Sequence, residues 1–231
     1  MIRKIKILLL CRKNEKYSIK LIKLIKKQNV KLKIFYSKTY KEKLPKKFIN
    51  YDYDYILSFR SYLILKKNIL KKSKKAFNFH PSTPNYRGIG CVNYALLENK
   101  KNFGITIHEI DEAVDFGKIL HVATFKIEKK MNLDSLLNKT HKILYLEAKK
   151  FITKLLKNPL TISKIYKNKG NYTWSKKYNN VKALDKLYVI KKNIDKKQIH
   201  KLIKATNHKI FKPYIKIHGE KFVYEKNQDW K

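Results

Sequence analysis

Asn78, His80 and Asp115 are the residues of this chain whose types and spacing could do chemistry. Asn78 and His80 flank Phe79 in AFNFH, which reads as the end of a strand, so an amide and an imidazole point to one face, and Pro81 then ends the strand. Asp115 lies in the turn DEAVDFG, behind a second strand-like run, GITIHEI. An amide donor, an imidazole and a carboxylate, each beside a strand end, could converge on one pocket around a carbonyl-sized hole. The stretch that carries them, Ala76 to Leu120, holds two of the five prolines and four of the six glycines. More than half of the residues able to fix unusual backbone geometry therefore sit around these three side chains.

The elements that must position them read as an α/β chain. Lys4 to Leu10 (KIKILLL) is a buried first strand, a helix runs from about Glu15 to Lys27 with Ile19, Leu21, Ile22, Leu24 and Ile25 on its apolar side, and a second strand spans Val30 to Tyr36. That βαβ rhythm implies a Rossmann-like, mostly parallel sheet. No Gly-x-Gly-x-x-Gly follows the first strand, which argues against a nicotinamide or flavin dinucleotide. Asp54 to Phe59 is the next strand, and Arg60 to Leu65 leaves its carboxyl end, where open α/β sheets place ligands. A short helix at Lys67 to Lys74 leads into the Asn78/His80 strand. Val92 to Leu97 is helical, Ile105 to Ile110 and Ile119 to Ile127 are strands, and Asp134 is placed to cap a long helix from Ser135 to Leu156. Beyond Asn158 the character changes: Gly170 to Tyr178 reads as a linker with aromatic anchors, Lys196 to Ala205 as a helix, and PYIKIHGEKFVYEK as a hairpin about His218-Gly219.

Three motifs in order, Asn-x-His-Pro-Ser (Asn78 to Ser82), Pro-x-Tyr-Arg-Gly (Pro84 to Gly88) and Gly-x-Thr-x-His-x-x-Asp-x-x-x-Asp-x-Gly (Gly104 to Gly117), resemble the folate-dependent formyltransferases that act on methionyl-tRNA, on glycinamide ribonucleotide and on nucleotide-linked amino sugars. The strong match covers roughly residues 54 to 125. The resemblance implies a catalytic trio of Asn78, His80 and Asp115, with 10-formyltetrahydrofolate as co-substrate and no metal. In such a transfer Asn78 and His80 would donate to the oxyanion of a tetrahedral carbon, one such donor being worth roughly 3 kcal/mol. Asp115 would orient His80 and take the amine's proton directly or through a water, typically worth about 10²- to 10⁴-fold. It further implies a pterin pocket along Ser61, Tyr62, Leu63, Ile64 and Leu65, a folate-contacting loop at Ile110 and Asp111, and a turn at Ser82-Thr83-Pro84 one residue shorter than the family's Ser-Leu-Leu-Pro. Tyr86 and Arg87 are the acceptor-side candidates, Arg87 either binding an acceptor phosphate or holding the Pro84–Gly88 loop against a carboxylate.

The same resemblance divides the chain into a catalytic unit, 1–158, and a short C-terminal extension, 159–231, with room for a hairpin but not for a tRNA-gripping barrel. A small acceptor, an amino sugar carried on a nucleotide, is the expectation. A minimal methionyl-tRNA formyltransferase is the alternative, and a nucleic-acid-binding protein that kept the core without activity is a third reading. A homodimer is an admissible assembly.

Blander readings stand beside these. Alone, Asn78 and His80 would be a satisfied strand-end pair, Asp111 a turn cap, and Tyr94, Tyr172 and Trp174 core packing rather than stacking platforms. A metal site from His80, His108 and Asp115 can be drawn, but neither spacing nor cysteines favour it. The formal charge of +39 suggests a polyanion, yet only four of the 56 basic residues are arginines, Arg3, Arg12, Arg60 and Arg87. The planar fork that phosphate and base recognition exploits is thus scarce, and lysines spread along the whole chain fit an AT-rich codon bias better than a nucleic-acid site. Two cysteines fit a reducing compartment, and no apolar run approaches the 18 or so residues needed to span a bilayer. A cytoplasmic protein is expected.

Overall fold

Seven residues, Ile5–Cys11, form β1, and their apolar run is explained by burial on both faces. In the computed structural model, which describes residues 3–225, Ile7 and Leu9 face one core cluster while Leu8 and Leu10 face another. A strand covered on both sides loses the alternation of a half-exposed strand, as in parallel sheets generally. α1 (Lys16–Lys26) follows, its N-terminus capped by Glu15, which accepts from the backbone N–H of Tyr17 and Ser18 at 3.1 and 2.7 Å. Leu21 and Ile25 of this helix are buried against the first cluster.

β2 (Val30–Tyr36), the short α2 (Lys46–Ile49), β3 (Tyr53–Phe59), α3 (Lys67–Leu70), β4 (Ser73–His80) and the two-residue β5 (Arg87–Gly88) come next. α3 ends four residues before the expected Lys74, because the chain from Ser73 on is taken into β4 by pairing with β3. α4 (Cys91–Leu97), β6 (Asn102–Glu109), β7 (Ile119–Lys126) and α5 (Leu133–Lys157) complete the central body. The cap of α5 is Asn132, not Asp134: Asn132 and Ser135 satisfy each other's backbone N–H reciprocally. Asp134 instead stands in the first turn, where a carboxylate favours the helix dipole.

The six-stranded sheet has the order β2-β1-β3-β4-β6-β7. The first four strands run parallel; β6 is antiparallel to β4 and β7 antiparallel to β6. The mostly parallel, Rossmann-like sheet expected from the sequence is therefore present, with an antiparallel edge. Between β1 and β3 the chain switches direction of growth, since β2 lies to one side and β3 to the other. One face is packed by α1 and α5, whose Leu144, Phe151, Ile152 and Leu155 meet Phe77 and Phe79 of β4. Leu44, Leu63, Leu65 and Ile69 cover the other face.

Past α5 come α6 (Ile162–Ile165), β8 (Tyr178–Asn179), α7 (Val181–Leu187), α8 (Lys196–Thr206) and the hairpin β9 (Tyr214–Ile217) and β10 (Glu220–Val223). The turn takes left-handed φ at both His218 (49°) and Gly219 (88°), the requirement of a two-residue type I′ hairpin. β8 pairs with β5 in parallel, and Asn93 of α4 donates to the Ala205 carbonyl of α8 at 2.8 Å. The extension thus packs on the central body through backbone pairing and a buried side chain. The outermost residues of both expected units, 1–2 and 226–231, lie outside the described residues.

Candidate active site

Phe77 and Phe79 of β4 point into the core beneath α5, so pleating turns Asn78 and His80 to the opposite face at the strand's carboxyl end. The antiparallel register sets Asn78 directly across from His108 of β6. Asp115 arrives from the loop after β6 in a left-handed conformation, φ 46°, which Asp tolerates better than most residues. The three expected side chains meet: Asn78 Nδ2 lies 3.1 Å from Asp115 Oδ1 and His80 Nδ1 3.3 Å from Asp115 Oδ2.

His108 joins them. Its Nδ1 is 2.7 Å from the Glu109 carbonyl, which can only accept, so that nitrogen carries the proton. In the neutral ring Nε2 is then an acceptor, and it lies 3.1 Å from Asn78 Nδ2. Both amide protons of Asn78 are thereby directed, one to Asp115 and one to His108. The sequence contained the signal for this: Asn78 and His108 occupy facing runs, and only the strand register was lacking.

His80 is buried, with Nε2 2.8 Å from the Tyr86 carbonyl. Burial alone would lower its pKa, but the Asp115 carboxylate outweighs that and raises it from 6.5 to about 9. Asp115 shows the converse. Burial pushes its pKa up, but the charge of His80 and the Gly88 N–H at 2.9 Å together hold it well below the usual carboxylate range. Both nitrogens of His80 face protein acceptors, so donation to a substrate oxygen would require it to exchange one of them, as it would for Asn78. A carboxylate held so firmly ionised is also a poor direct proton acceptor.

The loop bearing Asp115 is clamped rather than loose. Arg87 donates from Nε to the Asp115 carbonyl at 2.9 Å and from Nη2 to the Val114 carbonyl at 2.9 Å, and its Nη1 reaches the Ser175 carbonyl at 3.3 Å. Arg87 is thus engaged with backbone carbonyls of the Asp115 loop and of Ser175, and not with a carboxylate. Trp174 from the extension donates Nε1–H to the Gly117 carbonyl at 2.7 Å and packs edge-on against His108, ring centroids 4.9 Å apart. A Cβ on Gly117 would lie 1.9 Å from the Glu109 carbonyl oxygen, so only glycine lets the loop return this closely.

Above the cluster lies a cleft of about 700 Å³ at the carboxyl ends of β1, β3 and β4. Ser61, Tyr62, Leu63, Ile64 and Leu65 line it, as do Ile110 and Asp111 of the Asp loop. Ser82, Thr83, Pro84, Tyr86 and Arg87 do not line it. Ser82 is fully buried with its hydroxyl unpaired, and Tyr86 is buried in a further apolar cluster with Val92, Leu96 and Phe103, its hydroxyl 2.7 Å from Glu98. Tyr178, Tyr188 and Phe211 of the extension supply a further wall. Arg12, Tyr40 and His141, which local pattern did not single out, line the cleft too. Among the described residues no group of three or more His, Cys, Asp and Glu side chains is placed to hold a metal ion, and no helix is long and apolar enough to cross a membrane.

A methionyl-tRNA formyltransferase of Finegoldia magna is 36% identical over 78 residues, which are 33% of this chain and 25% of that protein. Across the curated relatives it matches first, the chain spans less than half of their length. A sugar N-formyltransferase from Shewanella sp FDAARGOS_354 superposes with a TM-score of 0.77 at 20% identity, covering 95% of this chain and 96% of that one. An N-formyltransferase from Helicobacter canadensis, in complex with folinic acid and dTDP-3-aminofucose, superposes with a TM-score of 0.72 at 19% identity over 94% and 86% of the two chains. Over residues 6–153, more than half of its length, the sequence matches the formyl transferase family model, and the chain belongs to that family.

Proposed function

We propose that this protein is an N-formyltransferase that moves a formyl group from 10-formyltetrahydrofolate to the amine of a nucleotide-linked amino sugar. The observation that carries the reading is the hydrogen-bonded cluster of Asn78, His80, His108 and Asp115 at the base of a cleft walled by Ser61–Leu65 and Ile110–Asp115. A folate pterin needs a flat, largely apolar slot with backbone donors and acceptors, and these two segments would line it. Similarity to a neighbour solved with folinic acid and dTDP-3-aminofucose supports the choice of both ligands. Residues 1–158 would make the catalytic unit and the extension would close its acceptor side.

In the reaction the amine nitrogen bonds to the formyl carbon, the carbonyl electron pair moves to oxygen, and collapse breaks the bond to the folate nitrogen, which takes up the proton the amine loses. Asn78 is the side chain placed to donate to the oxyanion, exchanging one of its present acceptors for it. The His80–Asp115 ion pair fixes that amide, and Asp115 attracts the positive charge that grows on the attacking nitrogen. Because this carboxylate resists protonation, the proton passes through a water rather than resting on it.

A second reading, a methionyl-tRNA formyltransferase, is favoured by the similarity to enzymes of that name and by the charge of +39. The deciding experiment supplies 10-formyltetrahydrofolate with charged initiator tRNA, glycinamide ribonucleotide and a panel of amino-sugar nucleotides in parallel. Formylation of a sugar nucleotide is expected. Formylation of tRNA alone selects the second reading, and tRNA binding with no formylation selects a protein without the activity.

A further inference from the structure

Four arginines serve a chain otherwise basic through lysine, and three of them have defined protein partners. Arg3 meets Asp54 at 3.2 Å, Arg60 meets Glu15 at 2.6 Å, and Arg87 clamps the Asp115 loop. Arg12 differs in that, among the described residues, only its Nε has a hydrogen-bond partner. It follows β1 directly as Arg60 follows β3, so the two stand side by side where the sheet order reverses, the place at which open α/β sheets bind ligands.

Arg12 is fixed in direction without being neutralised. Its Nε donates to the Arg60 carbonyl at 2.7 Å, and its guanidinium lies on the face of Tyr62, 3.8 Å from the ring centroid. Tyr40 braces that ring edge-on at 4.5 Å. Among the described residues its two terminal nitrogens meet no hydrogen-bond acceptor, although Arg12 is half-buried and lines the cleft. The carboxylates nearby are engaged elsewhere: Glu15 with Arg60 and the start of α1, Asp115 within its cluster, Glu112 with Lys67 at 3.2 Å, and Asp111 with the Glu112 N–H. His141, facing the same arginines from α5, is held neutral: burial and then the charges of Arg60 and Arg12 lower its pKa to about 3. It adds no charge and leaves an imidazole free to hydrogen-bond.

We propose that Arg12, set on Tyr62 and flanked by His141, is the subsite that receives the phosphate oxygens of the acceptor, its unpaired guanidinium edge giving a bidentate contact. This deepens the proposed function, on which it rests, by requiring a phosphorylated acceptor. The folate is the other source of oxyanions. With its pterin along Ser61–Leu65, however, its glutamate carboxylates lie at the far end of the molecule, across the aminobenzoyl group, while Arg12 touches the pterin segment itself at Tyr62.

The test is calorimetric titration of the full chain, wild type and Arg12→Gln, with inorganic pyrophosphate, with uridine diphosphate and with 5-formyltetrahydrofolate at physiological salt. Loss of a charge-assisted bidentate contact weakens the first two by about tenfold or more, while the folate constant stays within about twofold. Arg12→Lys, which keeps charge but not the fork, falls between, and it replaces Arg12→Gln if that variant melts early. Unchanged phosphate binding in either variant overturns the proposal, as does a loss that falls on the folate. Surface lysines are identical in all the proteins compared and cancel. Because binding is read without turnover, failure of every acceptor to be formylated would sink the catalytic reading and leave this result standing.

Discussion

His80 and Asp115 form a buried ion pair, Nδ1 to Oδ2 at 3.3 Å, with the other imidazole nitrogen held by the Tyr86 carbonyl at 2.8 Å. Two protein acceptors on one ring require two ring protons, so the imidazolium is the form that fits. His80 is raised to about 9 in the folded chain against 6.5 unfolded. Its contribution is therefore full below pH 6.5 and lost as pH rises through 9. Asp115 is lowered against 3.8, so its contribution is present above that value and lost as pH falls below it. The melting-temperature difference between wild type and His80→Gln should be greatest between pH 3.8 and 6.5 and shrink towards pH 9. A difference independent of pH across that range would refute the charged pair.

Asn78 sits between Asp115 and His108, both at 3.1 Å, and is the amide available to a developing oxyanion. Asn78→Ala should reduce kcat by about 10²- to 10³-fold with little change in KM. Asn78→Asp should do at least as much damage, because it sets a second carboxylate against Asp115. Steady-state kinetics with both variants decides this, and an equal effect on kcat and KM would assign Asn78 to binding instead.

Arg87 uses three nitrogens on three backbone carbonyls. Arg87→Lys retains charge but not the fork, so it should loosen the loop at Val114–Phe116, quicken proteolysis there and lower kcat by about tenfold or more through misplacement of Asp115. If the loop stays protected and only the acceptor KM rises, Arg87 binds acceptor after all.

Gly88 and Gly219 both adopt left-handed φ, 85° and 88°, yet their surroundings differ. A Cβ on Gly88 would fall 2.1 Å from the Asn179 carbonyl oxygen, whereas one on Gly219 meets nothing within 4 Å. Gly219→Ala should cost about 1 kcal/mol of backbone strain alone. Gly88→Ala should cost about 3 kcal/mol or more, since it also forces β5 from β8 and withdraws the N–H that Asp115 accepts. Denaturant unfolding of the two variants tests the contrast; equal losses would deny the β5–β8 contact its role.

By itself the sequence determined what is local. Periodicity and turn residues placed β2 at Val30–Tyr36, the last helix at Lys196 and the His218-Gly219 hairpin, and the order of Asn78, His80 and Asp115 announced one site. These are legible because a pleat, a helical repeat or a left-handed turn is fixed by neighbours a few positions away. Tertiary structure alone decided the rest. The antiparallel register of β4 and β6 put His108 against Asn78, a parallel β1–β3 pair brought Arg12 beside Arg60, and α5 carried His141 to both. It also took Ser82 and Tyr86 away from the cleft into packed interior. Which distant side chains meet depends on strand order, register and the burial each element gains by packing, and none of these is set by the residues adjacent in the chain.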